Sequence, residues 1–559
     1  MVSTYSTMDI KENVYFNPRK LKYLALCDEI PSLSCITDLM VEDLTNEGTP
    51  QIYALSGRST RSSLRILKHG LAITDIACSS LPGKPLAIWT LKSDVNDVYD
   101  KYVIVSFQNA TLVLSIEDKV REVHTTGFDL KKPSLHVNIL MDNTFIQVLP
   151  NGIIHIKTDK KRAFYQTSSK ILAVTSNHRQ IATALQDREI IYFELQGDKL
   201  EQIEKKVLDS EILSLHIGPI PEGRNKSKFL AVGCADNSIR ILSLDIDQCL
   251  GKISIQMLPA PAESIIMLEM GGLSSGTVSN QTPNLFLFVG LNNGVLMKTS
   301  VDPITGSLSD TRTRYLGSRS VSLFKTSVQG KSAVIASSSK PWLCYNYMGK
   351  YYCTNLNTDP VDYASNFSSE QCLEGIVAIS ENSLRIFSVE RLGENFNQTV
   401  VPLRYTPRKM VIHPDTNNII IIESDQNSYS KREKDNIKKE IAEKSNDEEY
   451  LKLKEDQIGV PYAGEGRWAS CIRMLEPYEY KILDLIEFED NEAALSAYVM
   501  TFSTTPGEMF LIVGTAKEMK LHPRSFSQAS IIVFAFREQG KKVEFLHRVI
   551  KIYLINILI

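Results

Sequence analysis

The chain is 559 residues long, more than one hydrophobic core usually supports, and its 43% apolar and 23% charged residues make an ordinary globular balance, so at least two folded units are expected. A formal net charge of -3 gives no long-range pull on a polyanion, which excludes nucleic-acid binding by bulk charge and leaves only local basic patches. Nine scattered cysteines, no two at C-x-x-C spacing, exclude the common structural zinc sites and read as reduced, mostly buried thiols.

The first twenty residues carry Lys11, Glu12, Arg19 and Lys20 with no apolar run between them, so no secretory signal is expected and the protein reads as soluble and intracellular. Between Leu33 and Leu67 the pattern predicts a hairpin with first arm Gln51–Leu55 and a turn through Gly57. Its second arm, Ser63-Leu-Arg-Ile-Leu67, recurs as Ser238-Ile-Arg-Ile-Leu242 and Ser383-Leu-Arg-Ile-Phe387. Alternation of this kind predicts a half-buried strand whose arginine faces away from the apolar side chains beside it.

From Tyr102 to Val389 the strand, turn, strand pattern appears seven times. It spans Tyr102–Ile116, Thr144–Lys157, Ile181–Leu195, Phe229–Leu242, Leu285–Thr299, Ala333–Tyr347 and Gly375–Phe387. Turns such as Asp236-Asn237, Glu381-Asn382 and Asn151-Gly152 suit tight hairpins because Asn and Gly accept a positive φ. The repeat averages about 45 residues, the period of a four-stranded propeller blade. The fold class expected is therefore all-β: a seven-bladed WD40-like β-propeller over residues 67–404, with strands on both sides that make part of a second propeller. Stacked β-sandwiches use the same hairpins but give no reason for so regular a count. The one dense basic run, Lys157 to Arg162, contains Asp159 and reads as a solvated turn after a strand.

Beyond Tyr405, strands are predicted at Asn418–Glu423, Trp468–Leu475, Ala494–Phe502, Met509–Gly514, Ile531–Phe536 and Val543–His547. Between the first two lies Lys431–Asp456, with eight basic and nine acidic residues, expected to be a mobile, partly helical insertion with little apolar stripe to dock. The final stretch, Val549 to Ile559, is aliphatic but broken by Lys551 and Asn556 and too short to span a bilayer.

Motifs that deliver chemistry are missing. There is no phosphate-cradling G-x-x-x-x-G-K-[ST], no H-E-x-x-H and no G-x-S-x-G. Gly464-Glu-Gly466 lacks a third glycine and reads as a loop before the strand at Trp468. The nine histidines stand apart, with His155 inside a strand reading as a satisfied residue, and Asp236 and Asp245 sit at turns, where Asp bonds the backbone. No catalytic, cofactor-binding or metal-ligating residue is assigned, and no enzyme is expected.

Longer phrases carry a resemblance. They include Asp302-Pro-Ile-Thr-Gly-Ser-Leu-Ser-Asp-Thr-Arg-Thr-Arg-Tyr-Leu-Gly-Ser-Arg319, Arg61 to Gly70, Ile104 to Ile116, Ser369 to Ser380, Tyr405-Thr-Pro-Arg-Lys409 and Gly466-Arg-Trp-Ala-Ser-Cys-Ile-Arg473. Through them the chain resembles the splicing factor 3b subunit 3 family, from about Val14 to His547. That superfamily also includes the large subunit of the cleavage and polyadenylation factor and the damaged-DNA-binding ligase adaptor. The resemblance implies three propellers, the middle one inserted into the third, and a helical C-terminal region. On that plan residues 1–66 are early strands of the third propeller, 67–404 the middle one, 405–548 the return to the third with its insertion at 431–456, and 549–559 a tail unlike the family. The first propeller, the rest of the third and the helical region have no counterpart here, and a truncated gene model or read-through end is the expectation.

The resemblance further implies a nuclear, non-catalytic scaffold of the splicing factor 3b complex of the U2 snRNP, without cofactor, small-molecule substrate or membrane. Its partners would be the large helical-repeat subunit and small subunits, with nucleic acid touched only indirectly. Gly459, Pro461, Ala463 and Gly464 match the family's partner-contact segment, although a plain Gly/Pro-rich re-entry loop fits the same residues. Two other functions share the fold, a ubiquitin-ligase or DNA-repair adaptor and a direct nucleic-acid binder.

Overall fold

In a computed structural model of the chain, the described residues are 23, 32–46, 48–116, 120–271, 284–389, 391–393, 396–445, 463–489 and 491–551. They form two compact units, one from residues 69–397 and one from residues 1–68 together with 398–559.

The unit of residues 69–397 holds seven four-stranded antiparallel sheets. Six are consecutive in the chain, beginning at Pro85–Leu91, His136–Ile139, Ile171–Ser176, Ile212–Ile217, Ala262–Met270 and Ser322–Val328. Each of the seven predicted hairpins is the middle pair of one sheet, as with Phe229–Cys234 against Ser238–Ser243. The innermost strands touch in sequence around a circle, and Tyr363–Phe367 of the seventh blade meets Pro85–Leu91 of the first. Asn366 links both its neighbours: the Thr90 hydroxyl of the first blade donates to its carbonyl (2.6 Å), and the Thr326 hydroxyl of the sixth donates to its side chain (2.7 Å).

The seventh blade is completed from far away in sequence. Its inner three strands are Tyr363–Phe367, Gly375–Ser380 and Ser383–Val389, and its outermost strand is Ile73–Ser80. The ring is thus fastened by its own first strand. An ion pair reinforces the join, with Arg385 reaching Asp75 (2.8 Å) across the seam and Asp359 (2.9 Å) on the other side. The arginines of the recurring phrase also find polar partners. Arg240 is buried and folds back to pair with Asp236 at its own turn (2.7 Å), and Arg65 donates to Ser63 on its own strand (3.3 Å). Asp75→Ala is expected to lower stability by about 1 kcal/mol, since the pair is only half screened. A shift of the urea midpoint checks it, and an unchanged midpoint would show that Asp359 alone satisfies Arg385.

Cores lie between neighbouring blades. Phe229, Ala231, Ile239 and Ile241 of the fourth blade pack on Ile265, Met267, Leu287 and Val289 of the fifth. In four innermost strands the register skips one residue near the start, extruding Leu86, Leu172, Leu213 and Glu263. His155 is fully buried, with Thr144 bonded to its Nε2 (2.7 Å), and burial pushes its pKa down. The run Lys157–Arg162 is a turn in which Asp159 pairs with Lys161 (2.8 Å).

The other unit contains three four-stranded sheets and a small hairpin, Lys520–Leu521 with Arg524–Ser525. The first sheet joins Ile36–Glu42, Gln51–Ser56 and Ser63–His69 to Phe396–Pro402, so more than 300 residues separate its third and fourth strands. The second runs Pro407–Ile412, Ile419–Gln426, Trp468–Leu475, Ile482–Phe488, and the third Glu492–Thr501, Met509–Lys517, Gln528–Arg537, Lys542–Lys551. The last strand pairs through Val549 and Ile550, so regular structure continues into the stretch set aside as a tail.

The charged insertion contains a helix, Lys431–Ser445, and residues 446–456 lie outside the described residues. The helix has a docking side after all. Lys434 and Ala442 are buried and Ile437, Lys438 and Ile441 half-buried, at the i, i+3, i+4, i+7, i+8 spacing of one face. Its start is a capping box: the Ser430 hydroxyl accepts from Glu433 N (3.2 Å) while Ser430 N donates to the Glu433 carboxylate (2.9 Å).

Candidate partner-contact surface

Of the four residues matched to a partner-contact segment, Gly459 and Pro461 lie outside the described residues. Ala463 is fully buried, so it anchors the loop rather than presenting a side chain. Gly464 is exposed, and a Cβ there would meet nothing within 4 Å, so its backbone faces open space.

The loop that carries them is stapled to the end of the neighbouring strand. Asn427 N donates to the Arg467 carbonyl (2.6 Å), Gly466 N donates to the Asn427 side chain (3.3 Å), and Arg467 N closes back on the Gly464 carbonyl (3.3 Å). Gly466 has φ +82°, a conformation that glycine adopts without strain, which explains the second glycine of the Gly464-Glu-Gly466 phrase. Arg467 then turns toward the helix, lying over the Tyr429 ring (5.0 Å) and pairing with Glu433 (3.0 Å). Lys431 N donates to the Tyr405 hydroxyl (2.7 Å), so loop and helix start share one support.

Below that support is a buried ionic hub that the sequence reading missed. Glu423, fully buried, accepts from Arg473 Nε (2.6 Å), Arg404 N (2.7 Å) and Tyr405 N (2.9 Å). Arg404 and Tyr405 reach on to Glu487, at 2.8 and 3.2 Å. Burial and this acidic neighbour together push the Tyr405 hydroxyl well above its usual pKa, so it stays a neutral donor. The signal available in sequence was a carboxylate directly after the apolar run Ile419-Ile-Ile-Ile422 and a guanidinium within the largely apolar Trp468–Leu475, a charge inside each of two buried strands. Two of the phrases that carried the resemblance, Tyr405–Lys409 and Gly466–Arg473, meet here.

Beside Gly464 is a groove of about 470 Å³. Gly464, Gly466 and Arg467 form one wall, and Glu518, Lys520 and Ser525, at the small hairpin, form the other. Trp468 fixes the spacing by donating Nε1–H to the Met519 carbonyl (2.6 Å). The groove is lined by charge of both signs, Glu465, Glu518, Arg467 and Lys520. Among the described residues, no three His, Cys, Asp or Glu side chains converge as metal ligands, and no helix is long and apolar enough to cross a membrane.

Comparisons with known proteins follow the same outline. Residues 73–389, the span from the fastening strand to the third strand of the seventh blade, match the family described as RSE1/DDB1/CPSF1 second beta-propeller, and residues 469–549 match the CPSF A subunit region. The chain is 44% identical over 572 residues to Splicing factor 3B subunit 3 of Danio rerio, covering 97% of this chain and 47% of that protein. It is 43% identical to Spliceosome-associated protein 130 A of Arabidopsis thaliana, covering 98% and 47%, and 42% identical to Pre-mRNA-splicing factor rse1 of Neurospora crassa, covering 96% and 44%. The chain spans about half the length of these relatives. Since the family match covers the whole circle of seven blades, fastening strand included, the chain belongs to the RSE1/DDB1/CPSF1 propeller family.

Proposed function

We propose that the chain is a non-catalytic scaffold of the splicing factor 3b complex of the U2 snRNP, acting in the nucleus and supporting branch-site recognition in pre-mRNA splicing through protein–protein contacts. The observation that carries this reading is that relatives named as splicing factors or as a spliceosome-associated protein align with 96–98% of the chain. A closed ring of four-stranded sheets supplies broad fixed surface, which is what a scaffold needs. The partners are the large helical-repeat subunit and small subunits of the same complex, with RNA touched only indirectly. In this reading residues 1–66 and 405–548 are parts of one further propeller that receives the ring as an insertion. The segment Gly459, Pro461, Ala463 and Gly464 is its partner contact, with the groove beside Gly464 as the surface offered.

Affinity purification of the tagged chain from nuclear extract tests the assignment. Recovery of splicing factor 3b subunits is the expected result; recovery of a cullin instead, or steeply salt-dependent RNA binding by the isolated chain, overturns it. Deleting Gly459–Gly464 is expected to reduce that recovery at least about tenfold, the loss of roughly 1.4 kcal/mol of contact, while the thermal unfolding of the ring stays unchanged. Full recovery by the deletion variant would make the segment a simple re-entry loop.

A further inference from the structure

Lys298 occupies the third strand of the fifth blade, Val295–Val301, directly opposite Arg312 on the outermost strand, Leu308–Tyr315. Its ammonium is clamped between two rings, 3.8 Å from the centre of Phe286 on its own blade and 3.7 Å from the centre of Tyr351 on the sixth. Among the described residues no carboxylate, carbonyl or hydroxyl accepts a hydrogen bond from it. The clamp therefore positions a half-buried cation by its stem and faces and leaves its N–H groups unused.

A groove of about 580 Å³ opens on this amine, lined also by Asn284, Ser300, Asp310 and Arg312. Charge counting decides what fits. Asp310 is already engaged by Arg312 (3.3 Å), so the guanidinium and that carboxylate cancel, leaving one uncompensated positive charge at Lys298. A monoanion balances it; a dianion would leave an excess negative charge beside Asp310. Asn284 and Ser300 add neutral groups that can donate to the second oxygen of a planar anion.

We propose that this groove is a binding site for a carboxylate, presented on an acidic side chain of a peptide, with Lys298 as its charge partner. The site lies on the rim of the ring and is independent of the Gly464 surface. Protonation gives it a signature. Burial above all, opposed by Cys344 and Asp310 and aided by Arg312, pushes the Lys298 amine down to about 8; Tyr351, whose own hydroxyl is pushed up by burial, faces it as a neutral ring. A carboxylate binds the ammonium form, so affinity is nearly full at about pH 7 and below and is lost as pH rises through about 8, where an ordinary surface lysine would hold its charge to about pH 10.

The test uses the whole chain and a short uncharged peptide bearing a single glutamate, with its glutamine twin and inorganic phosphate as comparators. Lysine labelling by an amine-reactive ester, read peptide by peptide by mass spectrometry, reports occupancy at Lys298 itself, with the exposed Lys131 and Lys199 as internal references. The expected result is that the glutamate peptide at about 10 mM protects Lys298 at least about fivefold and leaves Lys131 and Lys199 unchanged, while the glutamine twin gives no protection. The concentration for half protection should rise about tenfold from pH 7 to pH 9, following the ammonium fraction. No protection by the glutamate peptide, equal protection by its twin, or no change between pH 7 and pH 9 overturns the site. Phosphate protecting as well as the glutamate peptide overturns the carboxylate assignment.

Discussion

Glu423→Ala is expected to destabilise the unit of residues 1–68 and 398–559 by about 3–5 kcal/mol, because it strands a buried guanidinium and two buried amides at once. Arg473 is almost wholly buried, and its Nε–H has Glu423 as acceptor; Arg404 N and Tyr405 N lose theirs in the same step. The neutral shape is not what matters, so Glu423→Gln should recover only part of the loss. The double variant Glu423→Leu with Arg473→Met should recover the part due to the stranded charge and leave the part due to Arg404 N and Tyr405 N, which still lack their acceptor. Urea unfolding of the four proteins checks the set. A Glu423→Ala variant within 1 kcal/mol of the parent would mean that water reaches Arg473 and that the hub is not sealed.

Replacing Ile73–Ser80 by a Gly/Ser linker of equal length is expected to lower the melting temperature of the ring by at least about 10 °C and to make it associate. Without this strand the seventh blade has three strands, and Ser383–Val389 becomes an open edge with unpaired backbone groups. Arg385 loses Asp75 in the same step. A synthetic peptide with the sequence Ile73–Ser80 should restore a monomeric ring by occupying the edge. An unchanged melting temperature and no association would show that the inner strands alone close the circle.

Much of the ring was legible because the middle strands of the blades are largely buried and, in six of the seven, joined by turns that contain Asn, Asp or Gly. Phe229–Cys234 and Ser238–Ser243 are buried throughout and joined at Asp236-Asn237, where Asn237 has φ +57°. Outermost strands were not legible. Lys199–Val207 and Leu308–Tyr315 are exposed along most of their length, so their sequences, KLEQIEKKV and LSDTRTRY, carry no core-facing pattern to read. Pro407–Ile412 was passed over because its first half, Pro407-Arg-Lys409, is polar, and Ile482–Phe488 because it alternates weakly and is only half-buried. The pairing of Ile73–Ser80 with Ser383–Val389 leaves no local trace, because antiparallel partners need no particular residues when 300 positions separate them. At the candidate surface the glycines were legible as a loop, while the Glu423–Arg473 hub, built from two residues 50 positions apart, was not.

The two long-range pairings are nested, and that nesting sets an order in time. On a ribosome adding about 5–20 residues per second, the strand Ile73–Ser80 waits roughly 15–60 s before Ser383–Val389 emerges. During that wait its backbone donors are available to any edge in reach. The strand Ser63–His69 waits longer still, since its neighbour Phe396–Pro402 follows only after the seventh blade has been made. The inner pairing therefore has its full set of strands before the outer sheet can gain its fourth. A pause in synthesis between Val389 and Phe396 would release a finished ring attached to an unfinished host, whereas a pause before Ser383 would leave both open. Codon-level or chaperone-level protection of this protein has its greatest value in the earlier of those two windows.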